Sequence, residues 1–517
     1  MRVGLLIDGK IAVWQQLALE QACRNHEIFV LQSTGWAPKR PAKHALYYAL
    51  NVFTVRNRLT RMIEVSPESL GAKDSIQFQP EFEGAWAVLP SEVIEWVRSR
   101  KIDVILKFGL GLLRVPPEDT LPIPMLSYHH GDPRKYRGRP AGFYEILDGE
   151  PFLGQIVQAI GNKLDAGMVY AYGESRVFSH SYKKTLIESF SLSPYLLRTA
   201  LENVAMRRPL DFDCAGRNYR LPSNWLVVRF VAGRLRASAK RILYGLFIEK
   251  QWRVAQARLG ADSDPIDAIH NADRDGWATL EVVKPYTFYA DPFYAADGAV
   301  VVEALNKSSG KGEIIRVHDG VTTRVEGFEG HTSYPGTVRH DGRDFLVPET
   351  ASWGDLTAYG SDGSIVPIDI EDRRIADPTF FEHEGRLYLF GNVRSEGSSV
   401  LHLWHANDLA SRFERHPASP IRVSARGSRM AGEVAVWNGQ LYRLGQDWQR
   451  SYGDGVLAYR ILRLSPTDYV EEFAGEARFS KVSGPHTLNR RGNEILFDYY
   501  REKFSIFAGV RRVLNKL

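Results

Sequence analysis

Between residues 127 and 167 the sequence gathers side chains that can move a proton and hold a developing negative charge. His129 and Asp165 could form a base and its orienting carboxylate, because histidine titrates near neutral pH and a carboxylate can hold its ring. Ser127 stands two residues before His129, at the same strand end. His129, Asp165 and Ser127 are the predicted catalytic residues.

Five neighbouring residues are predicted to bind substrate or cofactor: His130, Asp132, Arg137, Gly138 and Gln158. His130 is also the alternative base, because a one-residue change of register would put it in the place of His129. Zinc binding by the two histidines is a weaker alternative, since adjacent rings seldom face one metal and no third ligand is evident. A polar turn without chemistry is the remaining alternative.

The elements that must position these residues follow from hydrophobic patterning in the first 200 residues. Short apolar runs predict strands over 3–7, 28–32, 103–108 and 124–128, and amphipathic stretches predict helices over 13–23, 91–100 and 141–147. This alternation is typical of a doubly wound α/β domain with a parallel sheet. Ligands bind such sheets beyond the carboxyl ends of the strands, where the residues after Tyr128 lie.

These motifs resemble the N-terminal domain of the folate-dependent formyltransferases over about residues 1 to 205. His129 keeps that family's spacing to Arg137-Gly138 and to Asp165. Two features differ: Ser127 replaces an asparagine, and residues 131–134 replace a Ser-Leu-Leu-Pro loop. The resemblance implies transfer of a formyl group from N10-formyltetrahydrofolate to an amine, for which an amino sugar is the predicted acceptor.

The second half contains five Xaa-Gly turns between apolar segments, which predict five hairpins. Their glycines are Gly298, Gly342, Gly385, Gly439 and Gly492, at intervals of 44, 43, 54 and 53 residues. This blade-sized period predicts a five-bladed β-propeller, whereas a β-sandwich would not require so even a repeat.

Asp291-Pro292 and Asp377-Pro378 stand 7 and 8 residues before their turn glycines, which places both carboxylates near the predicted axis. Such Asp-Pro strands look like the propellers of family-43 glycoside hydrolases. The segment 246–510 also resembles the N-terminal domain of plant glucosamine inositolphosphorylceramide transferases, through motifs such as His331–Pro335 and Gly484–Leu488. The predicted axis residues, for binding or for a second catalytic site, are Asp291, Tyr334, Asp377, Glu433, Arg429 and His486. In a glycosidase the two aspartates would act with Glu433 or Glu349 as the acid.

A basic connector joins the two halves. Residues 207–260 hold twelve Lys/Arg against three Asp/Glu, a net charge of +9. The interleaved apolar residues favour an amphipathic helix that either lies on an anionic membrane or bridges two domains. The whole chain carries only +5, which is too even a balance for a nucleic-acid binder. Two distant cysteines, Cys23 and Cys214, indicate neither a disulfide framework nor a metal site, and suit the cytoplasm.

The sequence thus predicts an α/β domain over 1–206, a basic helical connector over 207–245 and a five-bladed propeller over 246–517. The predicted function is an enzyme, an N-formyltransferase that acts on a nucleotide- or lipid-linked amino sugar in surface glycan or glycolipid synthesis, with no resident metal. Two alternatives stay open. One is a glycosidase or glycosyl-transferring enzyme acting at the propeller, and the other is a glycan-binding protein without catalysis.

Overall fold

The computed structural model describes residues 1–34, 41–260, 263–449 and 452–514. The chain divides into two compact units, unit 1 over Met1–Lys240 and unit 2 over Arg241–Leu517. Residue 517, the predicted end of the propeller domain, lies outside the described residues. The predicted connector contains an extended stretch followed by a long helix. No helix within the described ranges has both the length and the apolar character needed to cross a membrane.

In its described residues, unit 1 combines one large sheet and three small ones with six α-helices. Its strands are β1 (Arg2–Ile7), β2 (Lys10–Ala12), β3 (Glu27–Ser33), β4 (Met62–Glu64), β5 (Asp74–Phe78), β6 (Glu81–Glu83), β7 (Trp86–Val88), β8 (Val104–Lys107), β9 (Leu112–Leu113), β10 (Met125–His129), β11 (Tyr136–Gly138), β12 (Phe152–Ala159), β13 (Met168–Arg176) and β14 (Arg217–Tyr219). Its helices are α1 (Val13–Ala22), α2 (Ala45–Thr54), α3 (Ser91–Ser99), α4 (Phe143–Asp148), α5 (Tyr182–Ala205) and α6 (Asn224–Phe247), of which α6 continues into unit 2. A short 3₁₀ helix, Ala42–His44, precedes α2.

The large sheet has seven strands in the order β13-β12-β10-β8-β1-β3-β5. Strands β5, β3, β1, β8 and β10 run parallel, whereas β12 and β13 are antiparallel to their neighbours. The α/β class is confirmed, but the sheet is mixed where a parallel one was predicted. The reason is that β12 and β13 form a hairpin, and a hairpin reverses the chain without a crossover helix.

The two faces of this sheet bury different helices, because successive side chains of a strand point to opposite sides. One face packs Leu6 and Ile105 against Val93 and Val97 of α3. On the other face Trp14 of α1 lies against aromatic rings from β10 and α5. Successive polar residues at the carboxyl end of β10 therefore point alternately to the face that packs against α3 and to the face that packs against α1 and α5.

Unit 2 is built almost wholly from antiparallel strands. They are β15 (Ile248–Arg258), β16 (Ala278–Thr279), β17 (Tyr286–Tyr294), β18 (Val300–Asn306), β19 (Gly312–His318), β20 (Val321–Arg324), β21 (Ser333–His340), β22 (Arg343–Glu349), β23 (Thr357–Gly360), β24 (Ile365–Pro367), β25 (Ile375–His383), β26 (Arg386–Val393), β27 (Val400–Ala406), β28 (Glu414–Arg415), β29 (Arg422–Val423), β30 (Ala435–Trp437), β31 (Gln440–Gln446), β32 (Val456–Leu464), β33 (Tyr469–Ala477), β34 (Leu488–Arg491) and β35 (Glu494–Phe504). Two helices accompany them, α7 (Pro265–Asp275) and α8 (Ala508–Leu514).

These strands form five sheets. Four consist of consecutive strands, β17–β20, β21–β24, β25–β28 with β29 beside β27, and β30–β33. The fifth, which we call the terminal sheet, has the order β16-β15-β35-β34 and so pairs the first strands of unit 2 with the last. The predicted hairpins at the five glycine turns are all present as antiparallel pairs.

The first strands of three sheets share an unusual backbone feature. Asp291, Tyr334 and Asp377 each precede a proline, and their φ angles of 47°, 44° and 46° lie in the left-handed region. Each stands where the register of the antiparallel pair shifts by a bulge. A non-glycine residue with positive φ is strained, so surrounding contacts must hold it.

Those contacts come from neighbouring sheets. The Asp291 N–H donates to Asp498 of the terminal sheet at 3.0 Å, and the Asp377 N–H donates to Glu349 of the β21–β24 sheet at 3.0 Å. Fully buried Tyr334 accepts from the Gly432 N–H at 3.0 Å and lies 2.9 Å from the hydroxyl of Thr379. Side-chain hydrogen bonds therefore fix the strained backbone and join one sheet to the next.

We expect Tyr334→Phe to destabilise unit 2 without disturbing its cavity. The variant leaves the buried Gly432 N–H without its partner, which costs about 1–3 kcal/mol. Urea unfolding followed by tryptophan fluorescence measures the change. The surface variant Tyr359→Phe serves as a control, and equal midpoints for the two variants would contradict the assigned role of the Tyr334 hydroxyl.

Candidate functional site

The predicted catalytic pair lies at the carboxyl end of β10, in the middle of the large sheet. His129 is the last residue of that strand and is 7% exposed. Its Nδ1 lies 3.4 Å from Oδ2 of Asp165, which stands in the loop between β12 and β13. Two residues separated by 36 positions in the sequence therefore lie side by side in the fold.

The Asp165 carboxylate is held by two of the predicted binding residues, and a third holds the loop beside it. The Gly138 N–H donates to Oδ2 at 2.7 Å, and the Gln158 amide donates to Oδ1 at 3.3 Å. Gln158 also accepts from the Gly167 N–H at 3.1 Å, so its amide binds the loop at Asp165 and again two residues later. Arg137 donates to the Leu164 carbonyl at 3.5 Å. Gly138, Gln158 and Arg137 thus position Asp165, which itself has φ of 46°.

The second nitrogen of His129 fixes which ring atom can accept a proton. Nε2 lies 2.9 Å from the Tyr136 carbonyl, which only accepts, so Nε2 carries hydrogen. In the neutral ring Nδ1 is then the proton acceptor, and it faces Asp165. Gly131 leaves room for this ring, because a Cβ there would stand 2.6 Å from Nε2. A proton taken at Nδ1 is therefore stabilised at once by the carboxylate.

His130 lies on the opposite face of the sheet from His129, as the alternation of side chains requires. Its ring packs against Trp14 and Phe190, and Nε2 bonds to the Ser193 hydroxyl at 2.8 Å. Burial lowers the pKa of His130 to about 3, so it stays neutral at physiological pH. The structure does not bring His130 to the His129–Asp165 pair, and Asp132 instead forms a 2.7 Å ion pair with Arg134.

Ser127 shares its face of the sheet with His129, and it pairs with Gln158 of β12 on one side. On the other side β8 pairs with β10 through Ile105 with Met125 and Leu106 with Leu126. Lys107, a cation that was not predicted from the sequence, is the next residue of β8. Burial lowers the pKa of Lys107 to about 8, opposed by the nearby carboxylates of Asp8 and Asp165. A lysine that ends a buried apolar strand is the sequence signal that identifies this position.

Unit 2 contains a separate polar cavity of about 410 Å³. Three predicted axis residues line it: Asp291, Arg429 and His486. The other three, Tyr334, Asp377 and Glu433, are not in its lining. Tyr334 is a buried tie between sheets, and Asp377 lies behind Arg429, with its Oδ1 2.9 Å from the guanidinium. Glu433 is half-buried elsewhere in the unit, where burial raises its pKa to about 7.

Two glutamates add proton-holding groups to this cavity. Burial and the adjacent Asp291 hold the pKa of Glu303 well above its usual range. Burial and the adjacent Asp377 raise the pKa of Glu349 to about 8, against the influence of Arg429. Each glutamate stands in the second strand of its sheet, opposite the residue before the strained position. Glu303 was missed in the sequence, although a lone acid in the apolar run 300–305 marks it.

His486 is the basic partner at the aspartate side of the cavity. Its Nδ1 lies 3.0 Å from Asp291 and 3.2 Å from Asp498. Burial opposes a charge there, but Tyr452 and these two carboxylates hold the pKa of His486 well above its usual range. Although burial works against it, the same histidine lowers the pKa of Asp291. Ligand atoms of Asp291, His486 and Asp498 also lie within 4.8 Å of one another, a spacing that would suit a cation.

Comparison with known proteins identifies relatives of unit 2. The family model of the N-terminal domain of glucosamine inositolphosphorylceramide transferase 1 matches residues 278–483. The rice (Oryza sativa subsp. japonica) and Arabidopsis thaliana transferases of that name are each 26% identical over 207 residues. The match covers 36% of this chain but only 28% and 27% of those proteins, so the chain spans about a quarter of their length. The predicted resemblance to this domain is confirmed.

Solved structures similar to this chain include formyltransferases. One is the N-formyltransferase from Helicobacter canadensis in complex with folinic acid and dTDP-3-aminofucose, which is 10% identical with a TM-score of 0.30. The alignment covers 59% of this chain and 96% of that one. Another is phosphoribosylglycinamide formyltransferase from Anaplasma phagocytophilum, 15% identical with a TM-score of 0.30, covering 43% of this chain and 97% of that one.

The raised pKa of Glu349 predicts a loss of stability on the alkaline side. The folded protein keeps this proton up to about pH 8, whereas the unfolded chain releases it near 4.5. The free energy of unfolding therefore falls as pH rises between those values. In Glu349→Gln the amide replaces the protonated acid, so we expect a smaller fall. Thermal midpoints from pH 5 to pH 9 check this, with exposed Glu329→Gln as control. Parallel curves for both variants would contradict it.

Proposed function

We propose that unit 1 transfers a formyl group from N10-formyltetrahydrofolate to the amine of an amino sugar carried on a nucleotide or a lipid. The observation that carries this proposal is the buried His129 beside Asp165 at the carboxyl end of β10, with Asp165 held by the Gly138 N–H. The order and spacing of the formyltransferase motifs support it. A cytoplasmic location is part of the proposal, because two isolated cysteines suit a reducing compartment.

The residues at this place fit the chemistry of an acyl group moving between two nitrogens. N10-formyltetrahydrofolate, when bound, supplies an activated formyl carbon. His129 supplies a base, while Ser127 and Lys107 supply a hydroxyl donor and a cation for the formyl oxygen. The asparagine that the family uses at the position of Ser127 is absent. The ammonium group of Lys107 therefore provides positive charge on the neighbouring strand, where an amide donor would otherwise act.

The proposed role of each group follows from its atoms. His129 accepts at Nδ1 the proton that the amine loses as its nitrogen bonds to the formyl carbon. Asp165 stabilises the imidazolium, and Lys107 with Ser127 stabilises negative charge on the formyl oxygen. His129 returns the proton to the departing nitrogen as the old carbon–nitrogen bond breaks. No net proton is gained or lost by the protein.

We infer that unit 2 is a five-bladed propeller whose cavity binds the sugar. Five antiparallel sheets in series, with the first strands of the sheets β17–β20, β21–β24 and β25–β28 in contact and a terminal sheet that pairs the first strands of the unit with the last, support this architecture. Arg429, Tyr452 and the six other acidic or basic residues of the cavity suit the hydroxyls and charges of a glycan. The plant relatives bear glucosamine in their name, which agrees with an amino sugar.

A second candidate is glycoside hydrolysis in the same cavity. A protonated glutamate close to a charged aspartate is the pairing that glycosidases use, and Glu303 beside Asp291 provides it. Here Glu303 would give a proton to the leaving oxygen and Asp291 would act as the base or nucleophile. This candidate predicts bond cleavage and no addition of a carbon.

Mass spectrometry distinguishes the two candidates. The protein is incubated with formyl-folate and a panel of amino-sugar nucleotides and lipid-linked amino sugars, and formyl transfer adds one CO to the acceptor. We expect His129→Asn to lower turnover by roughly 10²–10⁴-fold. The exposed variant His270→Asn and the cavity variant Asp291→Asn should keep the maximal rate. Sugar release that Asp291→Asn abolishes and His129→Asn spares would instead establish hydrolysis.

The pH dependence tests the role of Lys107. Formyl transfer should fall above about pH 8, as the lysine loses its charge. Lys107→Met should lower kcat by roughly 10²–10³-fold, whereas Lys107→Arg should retain activity and extend it to higher pH. If Lys107 had only a structural role, its variants would change stability but not the alkaline limb of the pH–rate profile. An unchanged alkaline limb in both variants would exclude Lys107 from the chemistry, and the proposed role of His129 would still stand.

A further inference from the structure

Helix α6 presents an apolar stripe to solvent along its whole length. Val227 and Phe230 bury its inner face against unit 1. The outer face carries apolar residues at alternating spacings of three and four: Trp225, Val228, Ala232, Leu235, Ala239, Ile242 and Leu246, all of them exposed. This spacing keeps the seven side chains on one side of about six helical turns. So long an exposed apolar surface marks an interaction site.

Cations border this stripe. Arg229, Arg236 and Lys240 are exposed and recur at spacings of seven and four, which aligns them along one edge of the apolar face. The helix contains five basic residues and no acidic residue. Its polar edge is therefore positively charged from Arg229 to Lys240.

Helix α8 extends the surface within unit 2. Its Arg512 donates to the Ile248 carbonyl at 2.5 Å and to the Tyr244 carbonyl at 3.4 Å, so α8 packs beside the end of α6. The segment that contains α8 exposes five large apolar residues: Phe504, Ile506, Phe507, Val510 and Val513. A second exposed apolar group thus lies next to the last turn of the stripe.

The charge pattern decides between two occupants of this surface. The three-four spacing would also suit a coiled coil with a second copy of the chain. In such a pair the positions beside the seam, Arg229 and Arg236, would meet neutral or basic residues, because α6 has no acid to oppose them. An anionic lipid surface satisfies both properties, since the apolar stripe enters the acyl boundary and the cations meet the headgroups.

We propose that the outer face of α6 is a membrane-docking face that binds the surface of bilayers containing anionic phospholipid. The helix lies in the plane of the interface with its stripe in the lipid. The basic connector predicted from the sequence is the source of this face. The proposal does not depend on formyl transfer, because it concerns neither His129 nor the cavity of unit 2.

Vesicle flotation of the full chain tests the proposal. We expect the protein to float with phosphatidylcholine vesicles that contain phosphatidylserine, and to remain in solution with phosphatidylcholine alone. Binding should weaken as salt increases, because salt screens the headgroup attraction. The double variant Leu235→Glu with Ile242→Glu should abolish flotation. The matched control is Val321→Glu with Ile365→Glu, whose side chains are as exposed, at 62% and 64% against 67% and 61%.

The charged edge is tested separately. Arg229→Gln with Arg236→Gln should reduce partition onto phosphatidylserine vesicles by roughly tenfold or more, while the exposed pair Arg339→Gln with Arg373→Gln should not. Circular dichroism confirms that each variant is folded. Absence of flotation for the wild type, or equal loss in stripe and control variants, overturns the proposal. So does a dimer in sedimentation without vesicles that Leu235→Glu dissociates, which would assign the stripe to a second copy.

Discussion

Buried carboxylates held by backbone N–H groups are the interaction on which both units depend. A carboxylate removed from water is costly unless hydrogen bonds replace its hydration. In unit 1 the Gly138 N–H serves Asp165. In unit 2 Asp498 accepts from the N–H groups of Asp291, His486 and Thr487. Backbone donors cannot swing away as side chains do, so each carboxylate is fixed to the strand or loop that supplies its donors.

This interaction also explains the backbone strain. To turn an N–H toward a carboxylate of another sheet, the chain leaves the regular strand conformation at Asp291 and Asp377, which adopt positive φ. The strained residues lie where acidic and basic side chains come together. Their backbone keeps its conformation because several hydrogen bonds hold it. In unit 1 the carboxylate of Asp165 lies beside a single histidine, His129. In unit 2 Glu303 and Glu349 have raised pKa values, because they are buried and lie beside the carboxylates of Asp291 and Asp377.

Local patterning accounts for what the sequence could predict. Apolar runs in the sequence identified β1, β8 and β10. Because ligands bind beyond the carboxyl ends of parallel strands, the end of β10 in turn identified His129. The distinction between His129 and His130 required the direction of each side chain, which depends on the exact register of β10. Lys107 and Glu303 could not be assigned a role from the sequence, because that role depends on charged residues that only the fold brings near them. The 24-residue helix α5 escaped prediction because its apolar face is interrupted by polar residues and by Pro194.

The terminal sheet has a consequence for how unit 2 acquires its structure. Strand β15 opens this unit and pairs along its whole length with β35, which follows all the other sheets in the sequence. During synthesis β15 must therefore wait as an unpaired edge until nearly the last residues of the unit have left the ribosome. Such distant pairing slows folding, because the loop must close before any contact rewards it. Once formed, the same pairing ties the two ends together, so that fraying at either end is resisted by the other.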